Sequence, residues 1–595
     1  MYTGDVLKPI RIPDNVTVIE ARMFEGCSLL QSIVIPEGVT EIGDCAFDSC
    51  SSLQSIVIPE GVTEIGDCAF KGCSSLQSII IPDGITEIGN STFSNCSSLQ
   101  SIVIPEGVTK IEAGAFEGCS SLRSITIPER VTEIDGWAFS NCSSLQSIVI
   151  PEGVTEIKSY AFEGCSSLRS ITIPERVTEI GSGAFIGCSK LTLSCKSPFF
   201  KVASNILYSK DGRVISCWSN DKNIELPYGI TEIGESAFKG CSSLQSIVIP
   251  DSVTEIKGWA FRACSSLRSI IIPDGVTNIE CFAFNGCSSL RSIVIPEGVT
   301  EIGSGAFIGC SKLTLSCKSP FFKVANDILY SKDGRVISCW SNDKNIELPY
   351  GVTEIGNGAF YGCSSLQSIV IPDSVTNIEE YAFECCSSLR SITIPEGIDI
   401  ENYAFAHCSS LQSIVIPNNI YIEDDVFSNS SLKSVIISDG VTSIGFSEFC
   451  NCSSLQSVVI PDSVTDIGSF AFSGCSSLQS IVIPGGVTEI GNSTFSNCSS
   501  LQSIVIPDSV TKIERLAFYG CSSLQSIVIP EGVTNIEGFA FSGCSSLQSI
   551  VIPDSVTKIG IGAFWDCSSL RSVEIPKNMK IEYDIFPETA KIIRR

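Results

Sequence analysis

Thiols come first among the residues able to do chemistry. Of 30 cysteines, 21 stand three residues after a recurrent phenylalanine, from Cys27 to Cys567. Thiols at a fixed period can pair as disulfides, hold soft metals, or fill space as small hydrophobes. No Cys-x-x-Cys pair occurs, so a thiolate metal site lacks its chelating spacing. If the period is one rung of a stacked structure, the cysteines form a column at about 4.8 Å. That separation lies within the Cα range of a disulfide. Side chains in such a column point the same way, however, and suit a dihedral of about 90° poorly. Buried, reduced thiols are therefore expected. Vicinal Cys385-Cys386 reads as a variant of the repeat. Cys195 with Cys217, and Cys317 with Cys339, each fall inside one insertion, where a disulfide stays open as an alternative to free thiols.

The remaining chemistry is thin. The one histidine, His407, precedes a column cysteine where glycine usually stands, which reads as an exposed turn. With that one histidine, a histidine-based triad or a histidine-rich metal site has almost nothing to work with. Carboxylates recur after proline (Glu37, Glu60, Asp83, Glu106, Glu129) and before a second apolar segment (Glu41, Glu64, Glu87, Glu133). Stacked carboxylates attract calcium, but no Asp-x-Asp-x-Asp-Gly loop accompanies them. A solvated face is expected, with Lys110, Lys512 and Lys558 relieving repulsion in one column. No nucleophile–base constellation, phosphate loop or ligand cluster is found. The chain reads as non-enzymatic, with no catalytic residue, metal or cofactor.

The elements that must position these residues follow from the repeat. Phe24 to Phe185, Phe238 to Phe307, Phe360 to Phe383 and Phe449 to Phe564 each step by 23 residues. Phe383, Phe405, Phe427 and Phe449 step by 22, as does Phe586 after Phe564. These make 23 aligned positions. A single unit cannot bury its apolar face alone, so such regularity predicts a solenoid. In one unit, Ile102 and Ile104 alternate at strand period, which turns Ser101 and Val103 outward. Pro105 ends the strand, and Gly107 (Ser252 in another unit) sits in a turn. Val108 and Ile111 form a second short segment on the opposite wall. Gly114-Ala115-Phe116 reads as a tight turn or single helical turn, with Phe116 closing the core.

Leu99, Ile102 and Ile104 have the L-x-x-L-x-L spacing of a leucine-rich repeat. The full pattern, Cys-Ser-Ser-Leu-x-Ser-Ile-x-Ile-Pro-x-x-Val-Thr-x-Ile-x-x-x-Ala-Phe-x-Gly, closely resembles BspA-type leucine-rich repeats, from Leu7 to Phe586. The fold class expected is an α/β-type leucine-rich repeat solenoid of about 23 rungs, mostly short parallel strands with single helical turns. The resemblance implies a curved right-handed superhelix. It also implies a surface protein, adhesin-like or engaged with a host protein ligand.

Two stretches break the rhythm. Phe185 to Phe238 and Phe307 to Phe360 are each 53 residues apart. The inserts, 194–222 and 316–344, are near copies offset by 122 residues. Ile206-Leu-Tyr-Ser, then Lys210-Asp-Gly, then Arg213-Val-Ile-Ser reads as a β-hairpin on an Asp-Gly turn. The inserts cluster Phe199, Phe200, Tyr208, Arg213 and Trp218, repeated as Phe321, Phe322, Tyr330, Arg335 and Trp340. Aromatics and arginine dominate interface hot spots, so these are ligand-binding candidates, bivalent at roughly 19 Å if four rungs apart. The competing reading is that the rings pack the hairpin onto the solenoid. A second candidate surface is the strand face. There Val103 and Val149 continue a strip interrupted by Thr126 and Thr172, each with an arginine three residues earlier, Arg123 and Arg169. Plain β-propensity produces the same strip without a ligand.

Composition agrees. Hydrophobic residues make up 43% of the 595-residue chain, which is enough for a core, and no linker divides residues 1–595, so one domain is expected. The net charge of −27 disfavours nucleic acid as a partner. No apolar run approaches the roughly 20 residues of a membrane span. No signal segment is visible at the N-terminus, which leaves an intracellular scaffold as the alternative to a surface protein. Leu7, Ile10 and Ile12 already fit a strand, and Ile592-Ile-Arg-Arg595 fits a last one. Uncapped rungs at both ends would favour end-to-end self-association.

Overall fold

The computed structural model describes residues 10–418, 420–581 and 585–595, so Leu7 lies outside the described residues. It has two compact units. The first comprises Met1–Gly303 with Lys312–Ser319, the second Ser304–Ser311 with Pro320–Arg595.

Each regular rung carries two short strands, such as Ser101–Val103 and Lys110–Ile111. Both pair in parallel with the rungs on either side, in register at the repeat period (Ser78↔Ser101, Ile111↔Ile134). In the first unit the longer strands form a nine-stranded sheet from Ile10–Arg11 to Thr192–Cys195, then a five-stranded one from Asn223–Glu225 to Thr314–Cys317. The second unit repeats the pattern in shorter sheets and ends on Lys591–Arg594, paired with Ser572–Ile575 and exposed throughout. Arg594 donates to the Lys577 and Met579 carbonyls.

The expected helical turn is a correction. No helix occurs among the described residues. The segment around the repeat phenylalanine is a corner with left-handed backbone two residues before the ring and two after it, as at Ser91 (φ 51°) and Asn95 (φ 60°). Left-handed residues cannot propagate a right-handed helix. The corner's N–H groups instead reach the next rung, Phe93 N–H to the Ala115 carbonyl at 2.9 Å and Asn95 N–H to the Glu117 carbonyl at 2.6 Å. This explains why glycine or asparagine so often precedes the column cysteine.

Between the walls of each unit lies a core of inward-facing side chains. From Phe24 to Phe185 the rings stack at 5.1–5.7 Å between centroids, their planes 2–11° apart. The column cysteines lie beside them. Cys73 Sγ–H donates to the Phe47 carbonyl at 3.2 Å, Cys119 to Phe93 at 3.2 Å and Cys521 to Phe495 at 3.1 Å. Each thiol thus serves as a small hydrophobe with one weak donor satisfied. Burial pushes the Cys96 and Cys188 thiols up to about 12.

The inserts are not additions to a rung; each is a rung of its own. Thr192–Cys195 pairs with Ser170–Ile173 in the long-strand sheet. Arg213–Cys217 takes the short-strand place, pairing in parallel with Glu232–Ile233. Between them Phe200–Ala203 pairs antiparallel with Ile206–Ser209, which in turn forms the expected hairpin with Arg213–Cys217 across Lys210-Asp-Gly, with a bulge at Leu207/Tyr208. The copy has the same pairing and bulge. With these two included the chain makes about 25 rungs. The alternative disulfides do not form. Cys195 and Cys217 stand on different walls, Cys195 donating to the Ser197 carbonyl at 3.7 Å and Cys217 facing Cys241. Cys317 donates to the Ser319 carbonyl, and Cys339 faces Cys363.

One buried carboxyl breaks the pattern. Glu448 stands where most rungs have alanine and is 2% exposed. It accepts the Gly445 N–H at 2.8 Å. Burial, with Asp424 nearby, pushes it from 4.5 up to about 8.

Three outcomes follow. Denatured, unreduced protein titrates at least 21 thiols, while the native protein exposes only those outside the column, such as Cys281, and the end-rung Cys27; a denatured count near zero would show an oxidised column. Deleting residues 192–221 joins Leu191 to Lys222, and removing 30 residues from a 53-residue spacing restores 23. The joined sequence Cys-Ser-Lys-Leu-Lys-Asn-Ile-Glu-Leu-Pro then matches an ordinary rung. This variant folds cooperatively with near-native circular dichroism, whereas deleting 194–222 leaves the register one residue out and lowers the melting temperature. Finally, the stability held by protonated Glu448 is complete below pH 4.5 and lost as pH rises towards about 8. The slope approaches about 1.4 kcal/mol per pH unit in that window. Urea melts of Glu448→Gln are accordingly flatter with pH and show the variant more stable than the parent at pH 8.5.

Candidate functional site

The strand face is built by period-two alternation. Ile102 and Ile104 turn into the core, so Ser101 and Val103 turn out. Parallel register then stacks Val103, Thr126 and Val149 in one column. The structure brings the predicted residues together here. Val57 is 77% exposed and Val149 73%, and Ile80 and Val103 are similarly open. Thr172 ends the run, its hydroxyl 2.8 Å from that of Ser194 on the first insert rung. Arg123 and Arg169 are exposed two rungs apart, on either side of Gln146. A hollow of about 340 Å³ lies at Val149, Ser170, Thr172 and Pro174, closed on one side by Lys196 paired with Glu152 at 2.7 Å. Lys196 also holds the Glu152 carboxyl below its ordinary range. The column is an exposed strip of valine and isoleucine broken by Thr126, with the serine and then the glutamine or arginine columns along one side, the pattern of an interaction surface.

The insert aromatics are placed differently from the hot-spot expectation. Phe200, Tyr208 and Trp218 are buried, as are Phe322, Tyr330 and Trp340. Trp218 meets Phe185 edge-on at 5.9 Å and donates its Nε1–H to the Leu191 carbonyl at 3.1 Å. Trp340 meets Phe307 in the same way at 6.0 Å. These rings extend the phenylalanine stack into a rung that has no phenylalanine at the repeat position. Only Phe199 and Phe321, each 50% exposed, present a ring to solvent. Phe199 rims a cleft of about 670 Å³ shared with Glu179, Lys210, Asp211, Arg213 and Glu232.

The two arginines also part company. Arg335 pairs with Glu354 at 3.2 Å and with Glu379. Glu379 beside it, together with burial, pushes the Glu354 carboxyl to about 7. In the first insert the residue matching Glu379 is Lys257, whose ammonium repels Arg213 instead of holding it. Arg213 makes no ion pair among the described residues and faces the cleft. Of the acidic columns, Lys110 pairs with Glu112 of its own rung at 2.6 Å, and Lys558 with Glu537 at 2.9 Å. His407 is exposed on a left-handed corner, as its position implied. No group of three potential metal ligands occurs among the described residues.

A third surface was missed. Two residues before each repeat phenylalanine from Phe24 to Phe564 the backbone is left-handed, and eight such positions hold aromatics: Trp137, Tyr160, Trp259, Phe282, Tyr381, Tyr403, Phe470 and Phe539. Trp137 stacks on Tyr160 at 5.4 Å and Tyr381 on Tyr403 at 5.3 Å. Tyr160 lies over Gly183, where a Cβ would come within 2.7 Å of its ring. It reaches Ser236 at 2.8 Å between hydroxyl oxygens. The available signal was the alternation of glycine with large rings at one fixed position.

Known proteins carry this repeat. Six copies of the BspA type leucine rich repeat region match residues 1–119, 86–211, 216–333, 338–452, 420–514 and 488–594. A leucine-rich cell surface protein of Faecalibacterium prausnitzii A2-165 is 32% identical, over 66% of this chain and 88% of that one, with a TM-score of 0.42. A leucine-rich repeat protein of Bacteroides ovatus is 24% identical, over 91% and 92%, with a TM-score of 0.22. The pneumococcal vaccine antigen PcpA is 20% identical, over 66% and 93%, with a TM-score of 0.34. No curated protein matches the sequence. With its repeat matched along nearly its whole length, the chain belongs to the BspA-type leucine-rich repeat family.

Proposed function

We propose that this repeat protein is a non-enzymatic, adhesin-like surface protein that binds a protein of a host or neighbouring cell through its strand face. The observation that carries the reading is the column from Val34 through Val149, exposed apolar side chains broken only by Thr126, in parallel register. β-Branched residues on rigid strands lose little entropy when covered, so such a strip binds without reorganising. The arginines at 123 and 169 add positive points to an acidic molecule and select partners bearing carboxylates beside an apolar patch. The 32% identical relative is named as a cell surface protein, which supports the compartment. No helix among the described residues is long and apolar enough to cross a membrane. A second contact region is the first insert's cleft, favoured by half-exposed Phe199 beside unpaired Arg213.

Two measurements test this. Protease shaving of intact cells releases fragments of the protein if it is on the surface; fragments appearing only after lysis would make it an intracellular scaffold. Immobilised protein is then compared with a Val103→Lys/Val149→Lys variant for capture from cell-surface extracts. Exposed substitutions shift stability by no more than about 0.5 kcal/mol each, so the variant melts normally. It loses at least about tenfold in capture, as expected for hot-spot positions. Unchanged capture moves the site to the insert cleft, where Phe199→Ala/Arg213→Ala is the corresponding variant.

A further inference from the structure

We propose that the groove beside Trp259, on the short-strand wall, is a separate binding site for a basic peptide segment, one arginine side chain lying against the indole. The site is independent of the strand-face reading.

The groove arises from three consecutive rungs. The position after the short-strand isoleucine holds Lys257, Glu280 and then Gly303. A Cβ at Gly303 would lie 2.3 Å from the Cys281 nitrogen, so no side chain can fill the place. A hollow of about 500 Å³ results, lined by Trp259, Glu235, Asn278, Glu280 and Glu301 as its polar and aromatic groups. That volume is ordinary for a small-ligand pocket.

Trp259 is an unusual wall for it. Its backbone is left-handed at φ 54°, a conformation strained for a residue with a Cβ. Gly114 and Gly183 occupy the same corner elsewhere without that strain. The indole is not hidden in exchange, being 36% exposed. It is held instead, stacked on Phe282 at 6.2 Å with planes 12° apart. A strained, fixed and open aromatic face is the feature that packing alone does not account for.

Charge selects the ligand. Glu280 is anchored by the Gly258 N–H at 2.9 Å and by Lys257 at 3.0 Å. Glu235 accepts from the Tyr160 hydroxyl at 3.4 Å. Glu301 makes no ion pair among the described residues. Lys257 is already shared between Glu255 and Glu280. Three carboxylates therefore line the hollow beside an electron-rich ring, and only Glu280 among them is paired with Lys257, within a chain of net charge −27. Anions are repelled there, and a neutral donor gains a hydrogen bond from the carboxylates but no charge pairing. A guanidinium gains from both, by stacking on the indole and by bidentate pairing to a carboxylate.

The test uses the full chain and a dye-labelled Gly-Arg-Gly-Arg-Gly peptide, read by fluorescence anisotropy. Saturable binding is expected, weakened at least tenfold by 0.5 M salt, with no binding of Gly-Asp-Gly-Asp-Gly or Gly-Ser-Gly-Ser-Gly. Trp259→Gly, which relieves the left-handed strain and so folds, removes the binding. Glu301→Gln, at an exposed residue, weakens it at least threefold. No saturable binding, or binding unchanged in both variants, overturns the proposal; the second result would show a diffuse acidic surface. Equal binding of the serine peptide overturns it as well.

Discussion

The hydrogen bond from one rung to the rung one period away is the interaction on which everything else depends. Within a rung of 23 residues the backbone finds few partners beyond its own tight turns. Three lines of inter-rung bonds supply the rest: the long strands, the short strands and the left-handed corner. Because the corner joins the ladder, every side of the rung is tied to its neighbours. A rung is therefore a repeating environment, and the sequence repeats because the environment does. The cysteine column illustrates this. Its thiol sits where one rung's carbonyl comes within 3.2 Å of the next rung's side chain, and any larger residue would force the rungs apart.

Some of this was legible in the residues and some was not. Period-two alternation at Ser101–Val103 told inward from outward without ambiguity, and the 23-residue phenylalanine spacing announced the stacked core. The hairpin was readable from Lys210-Asp-Gly. The corner was not, because left-handed backbone leaves its mark only as glycine or asparagine, and aromatics such as Trp259 hide that mark. Nor was the insert's status as a rung, since its short strand, Arg213–Cys217, lies far off the repeat spacing. Trp218 shows the deeper limit. A tryptophan in an irregular segment serves equally as hot spot or core, and what decided here was the gap in the phenylalanine stack that it fills.

Near-identical inserts with different neighbours carry the same lesson. Arg213 and Arg335 have the same flanking sequence, yet one is paired and the other open. The difference lies 44 residues downstream of each, in Lys257 as against Glu379. In a solenoid the relevant neighbour is one or two periods away, so local motif and local environment separate.

That separation bears on where recognition resides. Rungs that match the consensus offer a partner the same surface again and again, which gives avidity along the column but little discrimination between positions. Discrimination requires a rung to differ without losing its hydrogen bonds to the next. The structure permits this at few places: outward strand positions, the loop within an insert rung, the residue after the short strand, and the corner. The first three accept substitution at little conformational cost. The corner does not, because any residue other than glycine is strained there. Large rings are nonetheless held at that position in several rungs, stacked and in part exposed. Drift under packing alone would favour glycine or asparagine at so unforgiving a site. Trp137 and Trp259 therefore set their corners apart from the glycine-bearing rungs, with an indole presented on the surface at each.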